Sequence, residues 1–387
     1  MPCSHKQKRP KSRDNAHGIA FNIVVIVMYK HAVRIIIILL AILINACGQA
    51  PEAAATPTLP AATATHTLLP PSATPSPTEP PLNPTSTSAP PTATPTRAPA
   101  TPTLTPIPTM LPVTVETRTR GLDGMVMVYV PEGEFWMGSS ALDRSALNDE
   151  KPQHSVYLDA FWIDQTEVTV AQFRTFSQAT GYLTLAETRG WADAWVERAG
   201  EWQVVRGADW QHPFGPGSTT KADQPVVQIA WADATAYCAW VGGSLPTEAQ
   251  WEKAARGTDG RIFPWGNLFD GTLLNYCDAS CTYGDSSFDD GYPFMAPVRS
   301  YPAGASPYGA LDMAGNVWEW TADRYNARYY AESPGINPPG PGNGGNRVLR
   351  GGSWNHDRYG MRTASRLYST PNTVVDNFGF RCVVIQP

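Results

Sequence analysis

Charge is scarce in this chain: only 16% of its 387 residues are Asp, Glu, Lys or Arg, and the formal net charge is -5. No basic stripe with interleaved aromatics occurs, which excludes a generic nucleic-acid binder. Long apolar runs are lacking too. Residues 35–44 read IIIILLAILI, ten residues, too few to cross a ~30 Å hydrocarbon core as a helix. There is no G-x-S-x-G elbow and no H-E-x-x-H pair. Cysteine is limited to six positions, 3, 47, 238, 277, 281 and 382. What the chain has in excess is proline, and it is segregated. Residues 51–110 hold 17 Pro and 16 Thr with almost no charge. Such a tract cannot bury enough apolar surface to offset its ordering entropy. The chain is therefore read in three parts: 1–47, a disordered 48–113 and a globular 114–387.

His31 and Arg34 precede the 35–44 run and Ile44-Asn45-Ala46-Cys47-Gly48 follows it. A basic n-region, an apolar h-region and a Cys after a small residue resemble a bacterial lipobox. The resemblance implies cleavage before Cys47, lipidation of its thiol and a membrane partner reached through that lipid. The other reading is an uncleaved anchor helix reaching back through residues 21–29. Both place the rest of the chain outside the cytoplasm, as a cell-surface or periplasmic protein. Met28-Tyr29-Lys30 would make an ordinary signal start, which points to Met28 as initiator. The Pro/Thr tract favours polyproline II at about 3.1 Å per residue, so sixty residues reach roughly 190 Å as a stalk or tether.

Four cysteines remain in the globular part, an even number in an oxidising compartment. Cys277 and Cys281 are close enough to bridge, or to act as a metal pair. No second Cys/His pair with zinc spacing exists, so the bridge is preferred. That leaves Cys238 with Cys382.

Within 114–387, residues 125–139 alternate and turn at Pro131-Glu132-Gly133, which predicts a hairpin. Residues 154–169 are strand-like. Val170, Phe173 and Phe176 have helical spacing, with Gly181 as the stop. Residues 225–243 predict a short strand and then a helix ending at Gly242-Gly243. Thr247 with Gln250 is a capping box for a helix running to about Arg256. Residues 190–215 show no clean period, and 257–346 is rich in turn residues. RVLRGGSW and NFGFRCVVI predict strands. The expected class is α+β, low in regular secondary structure.

Seven strings occur in order: EGEFWMGS, DEKPQHSVYLDAFWIDQTEVT, SLPTEAQWEKAARG, FPWGN, DMAGNVWEWTAD, RVLRGGSW and NFGFRC. Together they resemble the formylglycine-generating enzyme, or sulfatase-modifying factor, family over about 114–387. The resemblance implies a C-type-lectin-like α+β fold and a Cys238–Cys382 bridge. The family's best-known activity oxidises a sulfatase cysteine with copper and oxygen. It uses two cysteines shortly after the GGS string, because soft Cu(I) prefers thiolates. Here that segment, Ser353 to Arg362, has no cysteine and is shorter. Copper is therefore not expected. His356 and Met361 are the soft donors left there, a weak pair without a third ligand. Non-haem-iron relatives carry a helical domain where this chain has its stalk, so that iron site is not expected either.

The resemblance also implies structural calcium. Asn275, the Tyr276 carbonyl, Asp290 and the Tyr292 carbonyl match one site, and Asp312, Glu319 and the carbonyls of Gly315 and Val317 the other. Calcium takes six to eight oxygens, often mixing carboxylates and main-chain carbonyls. The family's cleft would gather Trp318, Ser353, Trp354, His356, Asp357, Arg358 and Arg366. Aromatic platforms with charge-assisted donors make a binding surface. Trp320 is read as core. The Gly340–Gly345 loop has no strand-to-helix setting for a phosphate and is read as a turn. The expected function is binding of a peptide or glycan in the cleft without copper chemistry. The alternative is a divergent enzyme, including an oxidase with an unconventional site.

Overall fold

Local signals carry the helices and non-local pairings carry the sheets. The computed structural model describes residues 115–385, apart from 197–199, 282, 283, 285 and 286. The chain divides into two units, 1–99 and 100–387, and every described residue belongs to the second. The signal region with Met28 and Cys47, and the Pro/Thr tract, lie outside the described residues.

In chain order the strands and helices begin with β1 (Thr117–Thr119), β2 (Val126–Val130), β3 (Gly133–Met137), β4 (His154–Leu158) and β5 (Phe161–Asp164). Helix α1 (Val170–Thr180) opens on a Thr169/Gln172 capping box and stops at Gly181 in the left-handed conformation. A short α2 (Leu185–Arg189) repeats the device with Thr184 and Glu187. A hairpin of β6 (Trp191–Val196) and β7 (Glu201–Arg206) follows. Helices α3 (Trp231–Trp240) and α4 (Glu248–Arg256) come next, α4 on its Thr247/Gln250 box. The chain closes with β8 (Trp318–Arg324), β9 (Arg347–Arg350), β10 (Leu367–Ser369), β11 (Phe378–Gly379) and β12 (Val383–Val384).

Two sheets have four strands, in the orders β1-β2-β5-β12 and β10-β9-β8-β11, and β3-β4 and β6-β7 are two-stranded. This is the α+β, low-regularity fold expected. Two local expectations fail. The 125–139 segment does not fold on itself: β2 pairs with β1 and β5, while β3 pairs with β4. Alternation marks a strand but not its partner, which is set by distant packing. The segment 225–230 forms no strand, only an isolated bridge from Pro225 to Thr169. The 190–215 stretch contains the β6–β7 hairpin, whose strands mix Ala, Asp and Glu with Trp and so carry no alternating signal.

Phe173, Phe176, Trp210, Tyr237, Trp320 and Phe380 pack in one core, with the Phe173 and Tyr237 rings stacked 5.9 Å apart. Trp320 is core, its indole N–H donating to the Ile229 carbonyl at 2.9 Å. The Cys238–Cys382 disulfide ties α3 to the C-terminal segment inside this core, and Cys277 bonds Cys281. Buried ion pairs, which the sequence reading did not anticipate, join the other layers. Arg366 bonds Glu248 at 2.7 Å, Arg256 and Arg350 both bond Glu252, and Arg362 bonds Glu150 at 2.6 Å. Buried guanidinium groups need such carboxylate partners, because an unpaired charge in the interior is costly.

Candidate functional site

Three chain segments meet at one end of the second sheet. Strand β8 begins at Trp318, whose N–H donates to the Asn377 carbonyl at 2.9 Å just before the parallel β11. Strand β9 runs into Gly351 and Gly352, at φ 101° and 84°, a turn that delivers Ser353. A Cβ on Gly352 would stand 2.5 Å from the Met361 sulfur, so the turn has room for glycine alone.

Past the turn, the Trp354 N–H donates to the Asn316 carbonyl at 2.9 Å, and the His356 N–H to the Ser353 carbonyl at 2.9 Å. The Cys277 N–H donates to the His356 carbonyl at 3.0 Å, and the Cys281 sulfur lies 3.7 Å from the Trp354 carbonyl oxygen. The Cys277–Cys281 bridge thus buttresses the loop from behind.

The side chains form one connected network. Ser353 Oγ lies 2.8 Å from Asn355 Oδ1 and 3.0 Å from His356 Nδ1. Asn377 Nδ2 donates to Ser353 Oγ at 3.1 Å and to Asn355 Oδ1 at 3.0 Å. Trp318 Nε1 donates to His356 Nδ1 at 3.3 Å. An indole nitrogen can only donate, so toward Trp318 His356 Nδ1 is the acceptor, while Asn355 Oδ1 also lies 3.0 Å from Nδ1. Burial holds the imidazole pKa below its ordinary value, outweighing the pull of Asp357, so the ring is neutral at pH 7.

An aromatic wall continues from this network. Trp354 packs edge-on to Phe294 at 5.0 Å, and Phe294 meets Phe214 at 4.7 Å. Trp195 of the β6–β7 hairpin joins the same cluster. Asp376 anchors the hairpin by accepting from the Trp195 N–H at 2.6 Å and the Trp202 indole at 2.9 Å. Burial pushes the Asp376 carboxyl up to about 6. Two buried polar atoms in this region have no partner among the described residues: the donor Trp354 Nε1 and the acceptor Asn377 Oδ1.

Of the expected cleft residues, Trp318, Ser353, Trp354 and His356 are together. Asp357 is exposed and caps its own turn through the Tyr359 N–H. Arg358 is exposed, its guanidinium 5.7 Å from the Phe269 ring centre. Arg366 does not belong to the cleft: both its Nε and Nη2 are committed to buried Glu248. The sequence reading missed Asn355, Asp376 and Asn377. Asn377 opens the NFGFRC string and Asp376 precedes it, and Asn355 is two residues beyond the GGS turn.

The copper question is one of donors. His356 Nδ1 is occupied, Met361 is packed with Phe263, Tyr276 and Ala314, and the two nearest cysteines are bonded to each other. This donor set does not fit Cu(I).

The first calcium set fits a hard cation. Asn275 Nδ2 donates to the Phe294 carbonyl at 2.9 Å, leaving the buried Oδ1 without a partner among the described residues. Asp290 accepts from the Tyr276 and Tyr292 N–H groups at 3.0 and 2.8 Å, yet burial, with Asp278 and Asp289 nearby, pushes its carboxyl up to about 7. The second set is already engaged. Glu319 gives both oxygens to Arg381 and one to the Trp251 indole, and Asp312 accepts from the Arg299 N–H at 2.8 Å. Glu167, absent from the expected set, brings a third buried carboxylate whose Oε2 has no partner among the described residues. Among the described residues, no group of three or more His, Cys, Asp or Glu has metal-binding geometry, so carbonyl oxygens would supply most ligands at either place.

A raised Asp290 pKa means the folded domain keeps a proton that the unfolded chain releases from about pH 4 upward. Without a cation, this group's contribution to stability is full below that pH and lost as pH rises to about 7. A calcium ion bound there would take the place of the proton. Adding Ca²⁺ is therefore expected to raise Tm by several degrees at pH 7.5 and by less at pH 5, and D290N is expected to abolish the rise. Differential scanning fluorimetry against EDTA reads both. An undiminished calcium effect in D290N would place the ion elsewhere.

The family described as "Sulfatase-modifying factor enzyme 1-like domain" matches residues 113–385. The chain belongs to the sulfatase-modifying factor family. It is 41% identical over 297 residues to the formylglycine-generating enzyme of Streptomyces coelicolor, covering 68% of this chain and 90% of that one. It is 38% identical over 278 residues to a Mus musculus protein named inactive C-alpha-formylglycine-generating enzyme 2, covering 66% and 84%. Among solved structures, PvdO from Pseudomonas aeruginosa matches with TM-score 0.56 and 26% identity, over 70% of this chain and 97% of PvdO. A relative named formylglycine-generating enzyme and one named as inactive are thus similarly close to this chain.

Proposed function

We propose that this sulfatase-modifying-factor domain is an extracytoplasmic, lipid-tethered binding protein whose cleft takes an extended peptide and performs no copper chemistry. The carrying observation is the pair of unpartnered buried atoms beside the Ser353–Asn355–His356–Asn377 network. One is a donor, Trp354 Nε1, and the other an acceptor, Asn377 Oδ1. Leaving such atoms unpaired is costly, and a peptide group supplies the complement of each. A peptide is favoured over a glycan at this place because the wall beside the network is built of Trp and Phe rings, suited to apolar side chains.

The tether rests on the basic-apolar-Cys47 pattern and the stalk after it. Two disulfides in the domain support an oxidising compartment. Among the described residues, no helix is long and apolar enough to cross a membrane. Calcium, at the Asn275 and Asp290 set, is assigned a structural role.

The Ser353–His356 contact of 3.0 Å favours a second reading, acid-base catalysis by a divergent enzyme. Against it, Ser353 Oγ is already engaged by Asn355, His356 and Asn377, so its hydroxyl is committed within the network.

A selection from a displayed random dodecapeptide library on the full chain tests the binding reading, followed by calorimetry. W354F keeps the ring and removes the N–H, and it is expected to weaken an enriched peptide about tenfold. No enrichment, or equal affinity for W354F, contradicts the proposal. Chemical conversion of a bound peptide would move the reading to catalysis.

A further inference from the structure

A second cavity, lined by no cleft residue, lies among residues 326–343. It has a volume of about 650 Å³, inside the roughly 300–1,000 Å³ range of small-ligand sites. Its walls are held from both sides. Arg324 bonds the Gly344 carbonyl, and the Tyr325 N–H donates to the Asn346 carbonyl at 2.9 Å. On the far side Asn337 clamps Asp159, accepting its N–H at 3.0 Å and donating to its carboxylate at 2.8 Å. Gly340, at φ 79°, rests on Asp323: a Cβ there would stand 2.5 Å from the Asp323 carboxylate. A cavity between pinned segments is pre-organised, which reduces the ordering cost of binding.

Its lining leaves hydrogen-bonding capacity unused. The Tyr329 hydroxyl is hidden from water beside Ser333 and the Gly340 backbone, and makes no hydrogen bond of good geometry among the described residues. Asn326 uses its carbonyl on the Arg328 N–H, leaving its amide protons open. Among the described residues, the side chains of Glu332 and Asn343 bond to no protein group. Between these polar groups stand flat apolar surfaces, Pro334 and Pro341 among them.

We propose that this cavity binds a neutral saccharide. A sugar ring presents hydroxyl edges to donors and acceptors in alternation, and C–H faces to flat apolar surfaces. The lining offers each: a phenol, two amides, a carboxylate and proline rings. It contains one carboxylate and no cation, which disfavours phosphorylated, sulfated or uronic ligands. A proline-rich peptide would stack here equally well, but it lacks the N–H groups that Glu332 needs. The site is independent of the peptide cleft.

Titration calorimetry on the full chain tests this with cellohexaose, mannohexaose and chitohexaose as neutral probes. A chondroitin sulfate hexasaccharide and hexaproline are the contrasting probes. At least one neutral probe is expected to bind, and neither contrasting probe is. Y329F is expected to weaken that binding about tenfold, and N343A, on an exposed loop, to weaken it without affecting Tm. W354F is expected to leave it unchanged, which separates this site from the cleft. The proposal is overturned if no neutral probe binds, if Y329F and N343A both bind as the parent does, if W354F abolishes binding, or if a contrasting probe binds more tightly.

Discussion

R381M is expected to destabilise the domain by about 3–5 kcal/mol, the cost of breaking a buried ion pair from one side. Arg381 is fully buried and donates to Glu319 through Nε at 2.6 Å and Nη2 at 2.7 Å. It also donates to the carbonyls of Asp164, Gln165 and Leu311. Those three carbonyls lose their donor with it, and Glu319 is left as a buried charge beside Asp312 and Glu167, whose own pKa values are raised chiefly by burial. Arg381 is also the charge that pulls the Asp312 and Glu167 pKa values down, so in the variant both rise further in the folded state. The defect should therefore shrink as pH falls from 7 toward 5, and R381M/E319Q should recover part of the loss. Urea unfolding across that pH range measures it. A defect below about 1 kcal/mol, or one that grows on acidification, would show that this pair does not hold the interior together.

The second large effect comes from covalent closure. Cys238 and Cys382 are separated by 144 residues, and both are buried in the main core. On the chain-entropy account, a loop of that length contributes about 4–5 kcal/mol. C238A/C382A is therefore expected to lower Tm by roughly 10–20 °C, using about 2–4 °C per kcal/mol for a domain of this class. The Cys277–Cys281 bridge closes a loop of only a few residues, with a separation of 4, so C277A/C281A should cost far less globally. Equal Tm losses for the two double variants would contradict this account.

Features written in consecutive residues were legible in the sequence. The Thr169 and Thr247 caps, the stops at Gly181 and Gly257 and the helices between them are decided by neighbours within a turn. The two disulfides were legible because few pairings were available. The family strings brought Trp318, Ser353, Trp354 and His356 together, because the strands carrying them are adjacent in the β9-β8-β11 part of one sheet. Long-range partnerships were not legible. Nothing near Gly133–Met137 says that its mate is His154–Leu158 rather than the preceding strand. Arg366 was taken for a ligand-facing cation because its burial depends on Glu248, 118 residues away. The same holds for Asn377, which reaches Ser353 only after β11 pairs with β8. A buried Arg and a substrate-facing Arg look alike in sequence; their partners distinguish them.

The cleft's chemistry is read from its donors: nitrogen and oxygen atoms engaged with one another, a packed thioether and no free thiol. The most direct measurement is a Cu(I) titration of the purified full chain, followed by incubation under oxygen with a cysteine-containing sulfatase peptide. Mass spectrometry of that peptide is expected to show intact cysteine, with no tight copper binding. Copper-dependent conversion of the cysteine to an aldehyde would contradict the account.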